Sequence, residues 1–121
     1  MEQKGLPHAH PCAVSFDHMP QLHEFAVASD IFKLLADSTR VRLFWVLCHC
    51  GMCVTNLSAL MEMSSPAISH HLKLLKACNL VTSQRIGKEM HYKAADTQQA
   101  QALHQMIETV VRISCPGGKK E

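Results

Sequence analysis

Six cysteines and nine histidines occur in a chain of 121 residues. Three of the cysteines lie in one hexapeptide, Cys48-His49-Cys50-Gly51-Met52-Cys53. Spacings of two and three let thiolates converge on one ion where the backbone bends back, and Gly51 supplies the bend. Thiolates select soft or borderline ions such as Zn(II), Cd(II), Pb(II), As(III) or Cu(I). A trigonal set of three sulfurs suits As(III) or Pb(II), and a fourth ligand suits Zn(II) or Cd(II). Cys12, His8 or His10 could be that fourth ligand. Cys115 is open to three readings: ligand, redox thiol or neither. Cys78 ends an apolar helix face and reads as packing. His49 and His104 read as solvent-facing or packed. The cysteine cluster has three readings: the thiols could sense a bound ion, they could answer an oxidant or persulfide, or a zinc ion could hold together a protein-interaction module.

A second constellation follows. Ser64, Ser65 and Ser69 could hydrogen-bond bases or phosphates, with His70 and Lys73 reaching further from the same helix. Arg85 and Lys88 could grip the adjacent backbone or minor groove. Of His70 and His71 one alone can point fully outward, and helical spacing favours His70. Charge agrees with a polyanionic partner. Residues 1–39 carry −3, residues 40–95 carry +5 with seven Lys/Arg against two acids, and residues 96–121 are neutral. The overall charge of +2 hides this basic middle.

The elements that must position these residues are legible in the apolar spacing. Residues 1–19 have no periodicity and read as a flexible N-terminal arm. From Pro20 a helical stripe runs through Leu22, Phe25, Ser29, Phe32 and Ala36. A second helix starts near Thr39 and is apolar on most of its surface, which makes it central. Thr55 could cap a short helix over 56–61. After a turn at 62–64, Ser65 as N-cap and Pro66 as first helical residue open a helix to about residue 78. Its face Ile68, Leu72, Leu75 is buried, and Asn79 lies beyond its end. The period then becomes two, with strands at 80–85 and 89–93 about a turn at 86–88, a β-hairpin. A last helix spans 97–114, and 115–121 is a flexible tail. Short helix, turn, helix and hairpin make a winged helix-turn-helix, α+β but mainly α, with a two-stranded wing. The domain runs over 20–114.

Other classes fit poorly. No Cys-His pair has an orienting third partner, and there is neither an H-E-x-x-H nor a phosphate loop, so an enzyme is not expected. The apolar run at 43–48 is too short to span a bilayer. The N-terminal residues lack a signal-peptide core, and a cytoplasmic location with reduced thiols is the expectation.

Several linked motifs resemble those of the ArsR/SmtB-type repressors. Ala36-Asp37-Ser38-Thr39-Arg40-Val41-Arg42-Leu43 is similar to their L-A-D-x-x-R-x-x-I/L opening. The stretch Ser64-Ser65-Pro66-Ala67-Ile68-Ser69-His70-His71-Leu72-Lys73 resembles their recognition helix, S-x-x-x-x-S-x-H-L. Leu80-Val81 with Arg85-Ile86-Gly87-Lys88 and Tyr92 resembles their wing. The likeness covers about residues 22–112. It adds Ala67 and His71 to the candidate DNA face, His71 standing where the family has its conserved histidine.

The resemblance implies a homodimer built by the first and last helices, bound to palindromic double-stranded operator DNA and released by a metal or metalloid ion. Apolar stripes at Leu22–Phe32 and Leu103–Val110 agree with such pairing. Cys53 matches the first cysteine of the family's E-L-C-V-C-D-L box. Thr55 replaces the second, Cys48 and Cys50 are added upstream, and an N-terminal cysteine such as Cys12 would come from the opposite subunit. The family's last-helix Zn/Co/Ni site uses D-x-H and H-x-x-E/H. This chain keeps Asp96 alone, so that site is expected to be absent.

Overall fold

The computed structural model describes residues 6–9, 11 and 15–117, in two units divided after Asp30. Helix α1 (Leu22–Leu34) runs across the division. Its start is fixed locally, because Glu24 Oε1 accepts the Gln21 N–H at 2.7 Å. Leu22, Phe25 and Val27 are exposed on it.

From Ile31 onward the order is α2 (Ser38–His49), β1 (Met52–Cys53), α3 (Val54–Met61), α4 (Ser65–Ala77), β2 (Val81–Ile86), β3 (Glu89–Ala94) and α5 (Gln98–Ser114). Each helix begins on a side chain that accepts an otherwise unpaired backbone N–H. Asp37 caps α2 through Arg40 N–H, Ser64 caps α4 through Ala67 N–H, and Thr97 caps α5 through Ala100 N–H. Two caps differ from the sequence expectation. Ser64 replaces Ser65, which with Pro66 forms the first turn of α4. Cys53 replaces Thr55 at α3, its sulfur accepting Asn56 N–H at 3.4 Å.

The helix ends are equally local. Glu62 at φ 55° and Asn79 at φ 61° adopt the left-handed conformation that closes α3 and α4. Behind them Met63 N–H reaches Ser58 O and Leu80 N–H reaches Leu75 O. The Ser58 hydroxyl also donates to Met63 O, tightening the turn between α3 and α4.

The wing is wider than expected. The hairpin pairs Val81 with Ala94 through Ile86 with Glu89, and Gly87 (φ 65°) turns it. The short strand β1 adds to β3, Met52 opposite Tyr92 and Cys53 opposite His91, giving a three-stranded antiparallel sheet in the order β1-β3-β2. A two-residue strand has no periodicity to read. Gly51 lets β3 come close, since a Cβ there would lie 3.3 Å from Tyr92 O and 3.4 Å from Lys93 Cβ, a tight fit.

Phe44, Leu43 and Leu47 of α2 lie at the centre, covered by Leu57, Ile68, Leu72, Leu75, Leu80, Val81 and Leu103. Cys78 packs against this core as expected. Among the described residues no helix is long and apolar enough to cross a membrane.

Candidate nucleic-acid interface and candidate metal centre

Helix α4 divides sharply between its faces. Ile68, Leu72 and Leu75 are fully buried, while Ser65, Ser69, His70 and Lys73 are exposed. Ser64 is exposed with its hydroxyl engaged as the cap, and Ala67 is half-buried. The adjacent hairpin holds Arg85 and Lys88 exposed near its tip, where Arg85 Nη1 lies 3.5 Å from Lys88 O. Lys76 is tied to Ser83 at 2.6 Å, which joins the end of α4 to β2. A hydrogen-bonding stripe, an open helix N-terminus and two basic wing residues therefore sit on neighbouring elements.

The two adjacent histidines separate. His70 is exposed. His71 is half-buried, with Nδ1 3.2 Å from Arg40 Nη1, and Arg40 Nε in turn donates to Leu34 O at 2.7 Å. His71 thus links α4 to the start of α2. The Asp37 carboxyl beside them is held below its ordinary range, chiefly by the Arg40 backbone N–H and then by the charges of Arg40 and His71.

The three clustered thiols differ in exposure. Cys48 is half-buried, Cys50 is exposed, and Cys53 is buried on the α3 cap. Burial, and after it the Glu108 charge, pushes the Cys48 thiol up to about 11. Cys48, Cys50 and Cys53 do not form a converged ligand group in this conformation. Cys115 and His8 are exposed, and neither joins a ligand group. Cys12 and His10 lie outside the described residues.

Among the described residues the one group of three or more His, Cys, Asp or Glu that converges is His49, His104 and Glu108. His49 ends α2, and His104 and Glu108 share one face of α5 at i and i+4. The Nε2 atoms of His49 and His104 are 3.0 Å apart, and Glu108 Oε2 lies 3.6 and 3.5 Å from them. Trp45, one turn before His49, donates its indole N–H to the same Oε2 at 2.6 Å. That hydrogen bond is the main reason the Glu108 carboxyl is held below its ordinary range. His49 is exposed and His104 half-buried, in line with the expectation of solvent-facing or packed side chains, and the contact between them is what the sequence does not announce. No local spacing announces a contact between residues 55 apart.

Comparison with known proteins agrees with this architecture. The description "Bacterial regulatory protein, arsR family" matches residues 37–83. The HTH-type transcriptional repressor SmtB of Mycobacterium tuberculosis is 31% identical over 94 residues, which cover 74% of this chain and 70% of that protein. The chain belongs to the arsR family.

Other arsR-family relatives are similar over shorter stretches. The transcriptional repressor SmtB homolog of Synechocystis sp. is 37% identical over 86 residues, covering 71% of this chain and 61% of the relative. The arsenical resistance operon repressor of Escherichia coli is 37% identical over 70 residues, covering 57% and 60%. The chain thus spans under two thirds of the length of these two relatives. Reduced HlyU from Vibrio cholerae superposes with a TM-score of 0.65 at 27% identity, over 77% of this chain and 94% of that one. A homodimeric winged helix-turn-helix DNA-binding domain from Mycobacterium bovis has a TM-score of 0.71 at 19% identity, covers 91% and 99%, and shares the fold. The names of the relatives describe repressors rather than enzymes.

Proposed function

We propose that this arsR-family chain is a homodimeric transcriptional repressor that binds palindromic double-stranded operator DNA through α4 and the wing, and that an ion governs its affinity for DNA. The observation that carries the DNA reading is the exposed face of α4, Ser65, Ser69, His70 and Lys73, set opposite the buried Ile68, Leu72 and Leu75. Such a helix can enter a major groove with its N-terminal residues at the base edges. Arg85 and Lys88 then meet the flanking backbone, and each phosphate contact adds affinity that falls with salt. Ser64 and His71 hold α4 in place, through the cap and the Arg40 contact, and Ala67 borders the exposed face, where its small side chain lets the groove come close.

The exposed Met106, Val110, Val111 and Ile113 on α5, with Phe32 on α1, favour pairing of two chains. A two-fold dimer matches a palindrome.

The inducer in this reading is a thiophilic metal or metalloid ion of the Cd, Pb, Zn or As(III) class, held by Cys48, Cys50 and Cys53 with Cys12. The names of the SmtB and arsenical resistance relatives support an ion in general. The α3 cap supports the corner between α2 and α3 as the responsive place. Recruiting the Cys53 sulfur away from Asn56 N–H would uncap the first helix of the reading head. A coupling of about 1–3 kcal/mol would change DNA affinity roughly 5–150-fold.

The test begins with selection of bound duplexes from a random library, which should return a two-fold symmetric sequence. Zn(II), Cd(II), Pb(II) and As(III) are then titrated against that labelled duplex. No enriched sequence would overturn the DNA reading. An affinity indifferent to all four ions would overturn the ion reading alone.

A further inference from the structure

We infer that His49, His104 and Glu108 form a second binding site, separate from the cysteine corner, for a borderline divalent cation of the Zn(II), Co(II) or Ni(II) class. The geometry carries this. Metal–ligand bonds of about 2.0–2.1 Å in a tetrahedral site place neighbouring ligand atoms about 3.3 Å apart. The three ligand atoms here form a triangle with edges of 3.0, 3.5 and 3.6 Å. They already outline one face of such a tetrahedron, and a shift of a few tenths of an ångström completes it.

Two imidazoles and a carboxylate suit borderline ions better than the soft ions that thiolates select. In the ion-free chain, one Nε2 must carry a proton to make the contact between the rings. On binding, that ring changes tautomer through solvent, giving up the Nε2 proton and taking one at Nδ1, so both rings coordinate through a bare Nε2 with no net proton released. Glu108 is already oriented, because Trp45 uses one acceptor position of Oε2 and leaves others free. Trp45 is thus a positioning residue, and its ring lies 4.1 Å from that of His49, centroid to centroid.

The site is open to an ion from solvent. Side-chain exposure is 46% for His49, 26% for His104 and 35% for Glu108. Beside it lies a cleft of about 320 Å³ lined by His49, Cys50, Asp96, Gln101 and His104, which leaves room for a water as fourth ligand. The location matters for the molecule. An ion here pins the end of α2, from which the chain passes through Gly51 into Cys53 and α3, to the helix that bears the exposed apolar stripe.

The test is a titration of the full chain with Co(II), read by visible absorption and by the fluorescence of Trp45, the single tryptophan. It needs no DNA, so its result is independent of the repressor reading. In C50S, which disables the cysteine corner, one equivalent should bind with a nitrogen–oxygen tetrahedral spectrum, without a thiolate charge-transfer band, and should perturb Trp45. Zn(II) should displace it. H49Q, H104Q and E108Q, all at exposed or half-exposed positions, should stay folded by circular dichroism and lose at least about tenfold in Co(II) affinity. That is the lower end of the cost of disturbing even the groups that orient ligands. Trp45→Phe should weaken Co(II) binding less, with absorption as readout. The inference is overturned if H49Q and H104Q bind Co(II) as tightly as the parent. It is equally overturned if C50S shows no nitrogen–oxygen Co(II) spectrum at all.

Discussion

At the scale of single residues, burial decides which of several chemically similar groups can act. Cys48 and Cys50 are two positions apart, yet burial and Glu108 push the Cys48 thiol up to about 11, while Cys50 stands in solvent. Since the thiolate is the nucleophile, iodoacetamide at pH 8 should label Cys50 well before Cys48, read by peptide mass spectrometry. E108Q should speed labelling at Cys48. The raised pKa also has a sign for stability. Folding favours the neutral thiol, so this contribution is complete below the ordinary value of 9.0 and is lost as pH rises through about 11. Among the basic residues, Lys73 is exposed on α4 beside the serine stripe. Lys73→Ala should weaken DNA binding about equally for all sequences and lower the salt slope by about 1. Equal affinity for parent and variant at two salt concentrations would remove Lys73 from the interface.

At the scale of elements, local caps and buried stripes set where each helix starts and which way it faces. Ser64→Ala should cost about 1 kcal/mol of stability by removing the α4 cap. Ser69→Ala, on the exposed face, should leave the denaturation midpoint unchanged while weakening DNA binding. A midpoint that does not move in S64A would show the cap to be idle. Leu72→Ala leaves a hole beneath α4 and should cost about 2–5 kcal/mol. Glu62→Gly relieves the left-handed residue between α3 and α4, so it should not lower stability, and should raise it if relief of the φ 55° strain outweighs the added chain entropy. Chemical denaturation reads all four variants. Helix existence and facing were legible in the sequence because they follow from side chains three and four apart. The caps were legible to within one or two residues, since Ser64 and Ser65 both qualify by type and the chain geometry alone chooses. Strand β1 was not legible. Met52 and Cys53 become a strand because β3 presents a free edge to them.

At the scale of the whole molecule, the exposed apolar residues of α5 exceed what one small core uses. Val110→Glu together with Ile113→Lys should shift the chain toward monomer in sedimentation velocity and weaken binding to a two-fold symmetric duplex, while the helix content is retained. An unchanged sedimentation coefficient would place pairing elsewhere. The sequence by itself determined the winged helix-turn-helix order, the buried stripe of each helix and the basic character of the reading elements. These rest on period, capping residue types and charge, all of which are local. Tertiary structure alone decided that His71 turns to Arg40 and that His49 meets His104 and Glu108. The physical reason is the same in each case. Periodicity fixes the face on which a side chain lies, but the packing of α2 against α4 and α5 fixes which faces meet, and that packing depends on how the whole core fills.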